Sequence, residues 1–92
     1  MLKINSDHNM AGFSMKFANG WTVSVQFGPH SNCKNRDLLH SERNKNKSKC
    51  VNAEIAAWNN DGWYAFDYDN VKGWCDADEV ADFITMIKAK EN

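Results

Sequence analysis

Two stretches of alternating polarity surround an Asn-Gly pair near the start of the chain. Before Asn19-Gly20 the apolar positions are Phe13, Met15 and Phe17, and after it they are Trp21, Val23, Val25 and Phe27. Alternation with a period of two on both sides of an Asn-Gly pair is typical of a β-hairpin. We therefore predict two antiparallel strands here, and the rest of the chain must fold around them.

The register of this hairpin follows from which side chains must be buried. A two-residue turn at Asn19-Gly20 would place the two apolar rows on opposite faces of the sheet. A three-residue loop, Ala18 to Gly20, places both rows on one face. We therefore predict this loop, with Gly20 in the left-handed conformation of a bulge. The cross-strand pairs that result are Phe17 with Trp21, Met15 with Val23, and Phe13 with Val25.

A second hairpin is predicted between residues 51 and 68. A four-residue loop, residues 59–62, would pair Trp58 with Trp63 and Ala57 with Tyr64. The core face would then carry Val51, Ala53, Ile55, Ala57, Tyr64, Phe66 and Tyr68. The opposite face would carry Glu54, Ala56, Trp58, Trp63, Ala65 and Asp67.

Residues 76–90 are predicted to form a C-terminal helix. Asp76 and Glu79 have the spacing of a capping box, in which each side chain satisfies a backbone N–H at the start of the helix. An apolar stripe follows at Val80, Phe83, Ile84 and Ile87. The predicted fold class is therefore α+β, with a four-stranded antiparallel sheet made of two hairpins joined by a long loop. The helix packs on one face of that sheet.

The length of the chain, 92 residues, is that of a single domain spanning residues 1–92. Residues 1–11 are predicted to be an N-terminal arm, and residues 28–50 a long polar and basic loop. The sequence contains no run of about 18 apolar residues, so we expect no membrane-spanning helix. Its first residues lack the apolar stretch of a signal peptide, so we expect residence in the cytoplasm.

Charge is divided unevenly along the chain. Residues 1–50 carry a net charge of +5, and residues 51–92 carry a net charge of -6. The long loop supplies most of the positive charge and suggests nucleic-acid binding, because cations on a polar segment bind phosphates. It has no aromatic residue to stack on bases, so a solvated loop is the other interpretation. The candidate nucleic-acid-binding residues are Lys34, Arg36, Arg43, Lys45, Lys47 and Lys49.

The face of the sheet opposite the helix is a candidate for binding a partner protein. Exposed tryptophans are frequent anchors of protein interfaces. The alternative is that Trp58 and Trp63 only stabilise their hairpin, and burial of this face in a homodimer would combine both roles. The candidate partner-binding residues are Trp58, Trp63, Glu54, Gln26 and Lys16.

No catalytic motif is present, so we expect no enzymatic activity and no cofactor. His30 and Cys33, followed by Cys50, supply too few ligands for a structural zinc site, and reduced thiols are expected at Cys33, Cys50 and Cys75. A small-molecule site using Cys33, His30 or His40 is a further alternative. Acidic residues between Asp69 and Asp82 suggest a mimic of nucleic-acid phosphates, although acids are also common at helix N-termini.

Several segments together resemble small uncharacterised proteins encoded by bacteriophages and prophages. The segments are GFSMKF at residues 12–17, NGWTVSVQFG at residues 19–28, Cys33-x-Asn35-Arg36, AEIAAW at residues 53–58 with GW at residues 62–63, VKGW at residues 71–74 and EVADFI at residues 79–84. The resemblance covers most of the chain but supplies no known activity and no functional residues. It implies a phage accessory protein in the host cytoplasm. Such a protein is expected to bind a host or phage macromolecule and to modulate or inhibit it.

Overall fold

A computed structural model describes residues 1–5, 11–28, 31–36, 49–67 and 69–91 of the chain. They form one antiparallel sheet and one helix, which confirms the predicted α+β class with a C-terminal helix. The strands are β1 (Leu2–Asn5), β2 (Gly12–Lys16), β3 (Thr22–Gln26), β4 (Ala53–Asn59), β5 (Gly62–Trp63) and β6 (Lys72–Cys75), and the helix is α1 (Ala77–Lys88). No helix in these ranges is long and apolar enough to cross a membrane.

The sheet is ordered β1-β2-β3-β4 along its length, with β4 as its most connected strand. Beyond β4, two short strands share the far edge, because β5 pairs with the end of β4 and β6 pairs with its beginning. The sheet therefore has six strands among the described residues, where the sequence predicts four.

The first hairpin has the predicted register. Met15 lies opposite Val23 and Phe13 opposite Val25. The three-residue loop closes with a 2.8 Å hydrogen bond from the Phe17 N–H to the Trp21 carbonyl. Gly20 has a φ of 88°, so the predicted left-handed glycine is confirmed.

The second hairpin is correct in register but wrong in length. Trp58 lies opposite Trp63, and the Tyr64 N–H donates to the Ala57 carbonyl at 2.8 Å. The loop is shorter than predicted, because Asn59 and Gly62 are themselves paired. The return strand ends at Trp63.

After Trp63 the chain leaves the sheet instead of continuing to Tyr68. The Phe66 N–H bonds to the Asp69 carbonyl at 2.8 Å, which closes a local turn. Ala65 and Asp67 are therefore not cross-strand neighbours of β4, and Tyr68 lies outside the described residues. β6 takes the vacated place beside Ala53 and Ile55. Val51, predicted to face the core, is 74% exposed because β4 begins only at Ala53.

The predicted N-terminal arm contains a strand. β1 pairs with β2, with Leu2 opposite Met15 and Ile4 opposite Phe13. This edge strand was missed because its alternating pattern extends over only four residues.

Helix α1 covers the part of the apolar face that β3, β4 and β6 form. Asp76 is its N-cap and accepts a 2.9 Å hydrogen bond from the Glu79 N–H, as the sequence predicts. Phe83 and Ile87 are buried, and Val80 and Ile84 pack against the same core. The helix contacts β3, β4 and β6. The core cluster consists of Val23, Val25, Ala53, Ile55, Ala57, Cys75, Phe83 and Ile87.

Candidate functional site

The face of the sheet opposite α1 carries all five predicted partner-binding residues. Successive side chains along a strand point to opposite faces, so the neighbours of the buried core positions lie on the other side. The cross-strand pairs on this side include Lys16 with Thr22, Thr22 with Trp58, Gln26 with Glu54, and Trp58 with Trp63. We call this surface the tryptophan face. Its members are Lys16, Thr22, Ser24, Gln26, Glu54, Ala56, Trp58 and Trp63.

The two tryptophans of the β4–β5 hairpin contact each other on this face. Their ring centroids lie 5.0 Å apart with a tilt of 49° between the ring planes. Trp58 is half-buried, whereas Trp63 is 53% exposed. Trp58 therefore packs against Trp63 and fixes the exposed Trp63 ring in position. An aromatic pair of this kind contributes ~1 kcal/mol beyond its buried area, so the contact also stabilises the hairpin.

A further exposed tryptophan, Trp74, lies on β6 at the margin of the same face. Gly73 and Trp74 together lie opposite the single residue Glu54, which makes a β-bulge. Trp74 has a φ of 61°, a left-handed backbone conformation that is rare for a bulky residue. Its side chain is 57% exposed. Sequence reasoning did not select Trp74, because β6 is short and has no alternating apolar pattern.

The bulge is held by the segment that follows β3. The Trp74 N–H donates to the Asn32 carbonyl at 2.7 Å, and the Asn32 N–H donates to Glu54 Oε2 at 3.1 Å. Gly73 allows this approach, since a Cβ there would lie 2.4 Å from the Asn32 Cβ. Glu54 thus has a structural partner and positions the bulge next to the tryptophan face.

Gln26 and Lys16 differ in how they present their polar groups. Gln26 Nε2 donates to Ser24 Oγ at 3.0 Å, while its Oε1 is buried and has no hydrogen-bond partner among the described residues. The side chain lies against Gly12, where a Cβ would come within 2.9 Å of that oxygen. Lys16 is exposed at the other end of the face. Lys16 is therefore the more available of the two for contact with a partner.

Three of the six predicted nucleic-acid-binding residues are described, and Arg43, Lys45 and Lys47 lie outside the described residues. Lys34 and Lys49 border one hollow of about 380 Å³. They are brought together by a 2.9 Å bond from Asn35 Nδ2 to the Lys49 carbonyl and a 2.6 Å bond from the Lys34 N–H to Asn52 Oδ1. The guanidinium of Arg36 bonds to Asn32 Oδ1.

The acidic residues near α1 have local roles. Asp76 caps the helix, and Glu79 forms an ion pair with Lys72 that raises the pKa of the Lys72 ammonium. These contacts account for two members of the proposed phosphate mimic without a nucleic-acid-binding partner.

The cysteines are free thiols, and two of them are buried. Burial raises the pKa of Cys33 and of Cys75 from 9.0 to about 11, so both thiols are neutral near pH 7. Cys50 is half-buried and lies near Cys33. The described residues contain no group of three His, Cys, Asp or Glu side chains arranged to hold a metal ion. His30 and His40 lie outside the described residues.

An apolar hollow of about 380 Å³ lies between the first half of α1 and the sheet. Its walls include Val25, Phe27, Val80 and Ile84, and Lys49 is the one charged residue among its described lining residues. This hollow suits the small-molecule alternative, although it involves Cys50 and Cys75 rather than Cys33.

The chain was compared with protein-family models, with curated proteins and with solved structures, and none of the three comparisons finds a match. Functional inference therefore depends on the geometry of the sheet face and its surroundings. The likeness to phage proteins stays a prediction.

Proposed function

We propose that this protein is a non-enzymatic phage accessory protein that binds a host or phage protein through the tryptophan face and modulates or inhibits it. The observation that carries the proposal is the exposure of Trp63, which Trp58 supports at one end of β4. Aromatic rings that are both exposed and held rigid are typical anchors of protein interfaces, because little side-chain entropy is lost on binding. The phage assignment depends on the sequence resemblance alone.

Trp74 extends the same surface toward the other end of β4. Glu54, beside the bulge, and Trp58 are four residues apart on one strand, which places them about 13 Å apart at ~3.3 Å per residue. A partner that contacts both ends would cover polar side chains between the two aromatic anchors. An exposed aromatic residue in an unfavourable backbone conformation is the kind of local strain that is found at functional sites.

A tagged pull-down from host lysate, performed with nuclease treatment and at low and high salt, tests the proposal. We expect the wild-type protein to retain a discrete protein partner. The Trp63→Ala variant should retain at least ten times less of that partner. Met86→Ala is the matched control, because Met86 is also an exposed apolar side chain but lies on α1. Equal loss in both variants, or undiminished capture by Trp63→Ala, would contradict the assignment of this face.

Nucleic-acid binding is the second candidate, and the shared hollow beside Lys34 and Lys49 favours it. In the same experiment it predicts recovery of nucleic acid that is lost at high salt, because phosphate contacts release counterions. The double variant Lys34→Ala, Lys49→Ala should then reduce recovery, whereas Trp63→Ala should not. These two patterns separate the candidates.

A further inference from the structure

The outer edge of β1 presents backbone groups that are not paired with any described strand. Met1 and Lys16 exchange two hydrogen bonds, of 2.9 Å and 2.8 Å, at one end of the β1–β2 pair. Bonded and non-bonded pairs alternate in an antiparallel ladder, so Lys3 also directs its backbone groups toward β2. The N–H and C=O groups of Leu2 and Ile4 therefore point away from the sheet. Among the described residues, no strand lies beyond β1.

The side chains at this edge are as exposed as the backbone. Leu2 is 73% exposed and Ile4 is 77% exposed, although both lie on the same face of the sheet as the core. Helix α1 contacts β3, β4 and β6, so this margin of the apolar face lies beyond the helix. A strand edge with apolar side chains and unpaired peptide groups is a template for a further strand.

We propose that β1 pairs antiparallel with β1 of a second copy of this chain, about a two-fold axis at Lys3. The edge fits itself, because its outward peptide groups belong to Leu2 and Ile4, one residue on each side of Lys3. In the two-fold arrangement Leu2 lies opposite Ile4 of the second copy, and each such pair exchanges two hydrogen bonds. The two sheets then become continuous, and an isologous interface of this kind closes at a dimer.

Lys3 determines how strong this association can be. In the proposed register the two Lys3 side chains lie directly opposite each other, on the face away from α1. Like charges in that position oppose pairing, and charged edge residues are a common device against uncontrolled strand addition. We therefore expect a weak dimer that added salt strengthens, since salt screens the repulsion. This surface is separate from the tryptophan face, so the inference goes beyond the proposed function.

Sedimentation velocity over a wide range of protein concentration tests the dimer. We expect wild-type protein to change from monomer to dimer as concentration rises, with the midpoint at lower concentration in high salt. Ile4→Pro removes one outward N–H and should raise the midpoint at least tenfold. Ile4→Thr is the matched control, because it also shortens the apolar side chain but keeps that donor. A wild-type monomer at every concentration, or equal midpoints for Ile4→Pro and Ile4→Thr, overturns the proposal.

Exchange of the Lys3 charge tests the register independently of folding. Lys3→Glu alone should dimerise as poorly as wild type, because two glutamates then face each other. An equimolar mixture of isotope-labelled wild type and Lys3→Glu should form mixed dimers well beyond the statistical half, since Lys3 then faces a glutamate. Native mass spectrometry measures that share. A statistical share of mixed dimers shows that the two side chains do not meet, and it overturns the two-fold axis at Lys3.

Discussion

The strands under helix α1 and the edge strand β1 differ greatly in how much of their apolar side chains is buried. Under α1, the side chains of β3 and β4 are almost completely buried, and Ile55 and Val23 are effectively inaccessible to solvent. On β1 the same kind of residue is exposed, as Ile4 illustrates. Both regions have the same alternating pattern, so the pattern alone does not distinguish a core strand from an edge strand. The position of the helix makes the difference.

This contrast distinguishes residues that stabilise the fold from residues that are available for contacts with other molecules. Burial of apolar area under α1 supplies the main favourable free energy of folding. Leu2 and Ile4 contribute little to that free energy while they stay exposed, so their apolar character is available for contacts outside the chain.

The most direct way to break the comparison is to make the same substitution in both regions. Ile55→Ala should lower the free energy of unfolding by about 2–5 kcal/mol, because it leaves a cavity beneath α1. Ile4→Ala should change it by less than about 0.5 kcal/mol in dilute solution. Denaturant unfolding of both variants measures the difference. Similar losses at the two sites would mean that β1 is as well packed as β4.

Sequence reasoning succeeded where burial leaves one choice. In the first hairpin only one register places Phe13, Met15, Val23 and Val25 on a common face, so loop and register could both be predicted. The second hairpin allowed the same argument near its turn, where Trp58 meets Trp63. The helix was predictable for a similar reason, since its cap and apolar stripe are both local signals.

The missed parts depend on contacts between distant residues. β6 replaces the predicted continuation of β5 because Asn32 bonds to Trp74 and Gly73 leaves room for that approach. The sequence around these residues has no alternating apolar pattern that predicts a strand. The tryptophan face was predictable from alternation, but Trp74 was not, since its exposure depends on a bulge that forms only in the assembled sheet.

Alkaline pH tests how well solvent is excluded from the core under helix α1. Cys75 belongs to the core, and its pKa is raised from 9.0 to about 11 because burial disfavours the thiolate. An unfolded chain releases this proton near pH 9, whereas the folded chain retains it. The contribution of Cys75 to the free energy of unfolding is therefore unchanged below pH 9 and falls as the pH rises toward 11, by about 2 kcal/mol at ~1.4 kcal/mol per pH unit.

The pH dependence is measured by comparing wild type with Cys75→Ala. Near pH 7 the variant should be less stable than wild type by a constant amount, because the smaller side chain packs less well in the core. Between pH 9 and pH 11 its free energy of unfolding should fall less than that of wild type. Parallel stability curves for the two proteins would show that the Cys75 thiol is already solvated in the folded state.

The attachment of the helix to the first hairpin is expected to have a smaller effect. Asn19 Nδ2 donates to the carbonyls of Ile87 and Lys90, each at 2.9 Å, at the C-terminal end of α1. Its Oδ1 accepts from the Trp21 N–H at 3.0 Å. Asn19→Ala should therefore lower the free energy of unfolding by ~1–2 kcal/mol, because the helix carbonyls lose their donor.

Asn19→Asp sharpens this test. It retains an acceptor for Trp21 but directs a carboxylate at the negative end of the helix, so it should be less stable than Asn19→Ala near pH 7. The gap should narrow below pH ~4, where the carboxyl group gains a proton. Thermal unfolding of both variants at pH 7 and below pH ~4 measures this difference in stability. An aspartate that is more stable than the alanine would place the loop away from the helix end.

The smallest effect on stability is expected on β6, at the edge of the sheet, where Trp74 adopts its left-handed conformation. Trp74→Gly removes a backbone strain of ~1 kcal/mol, and the greater freedom of glycine in the unfolded chain costs a similar amount. We therefore expect stability within about 0.5 kcal/mol of wild type. Trp63→Gly should be destabilised by more than 1 kcal/mol, because it removes the contact with Trp58 from a regular strand pair. A large loss at Trp74 would mean that its ring supports the fold. Unchanged stability combined with weaker capture of a partner protein would instead make Trp74 a binding residue.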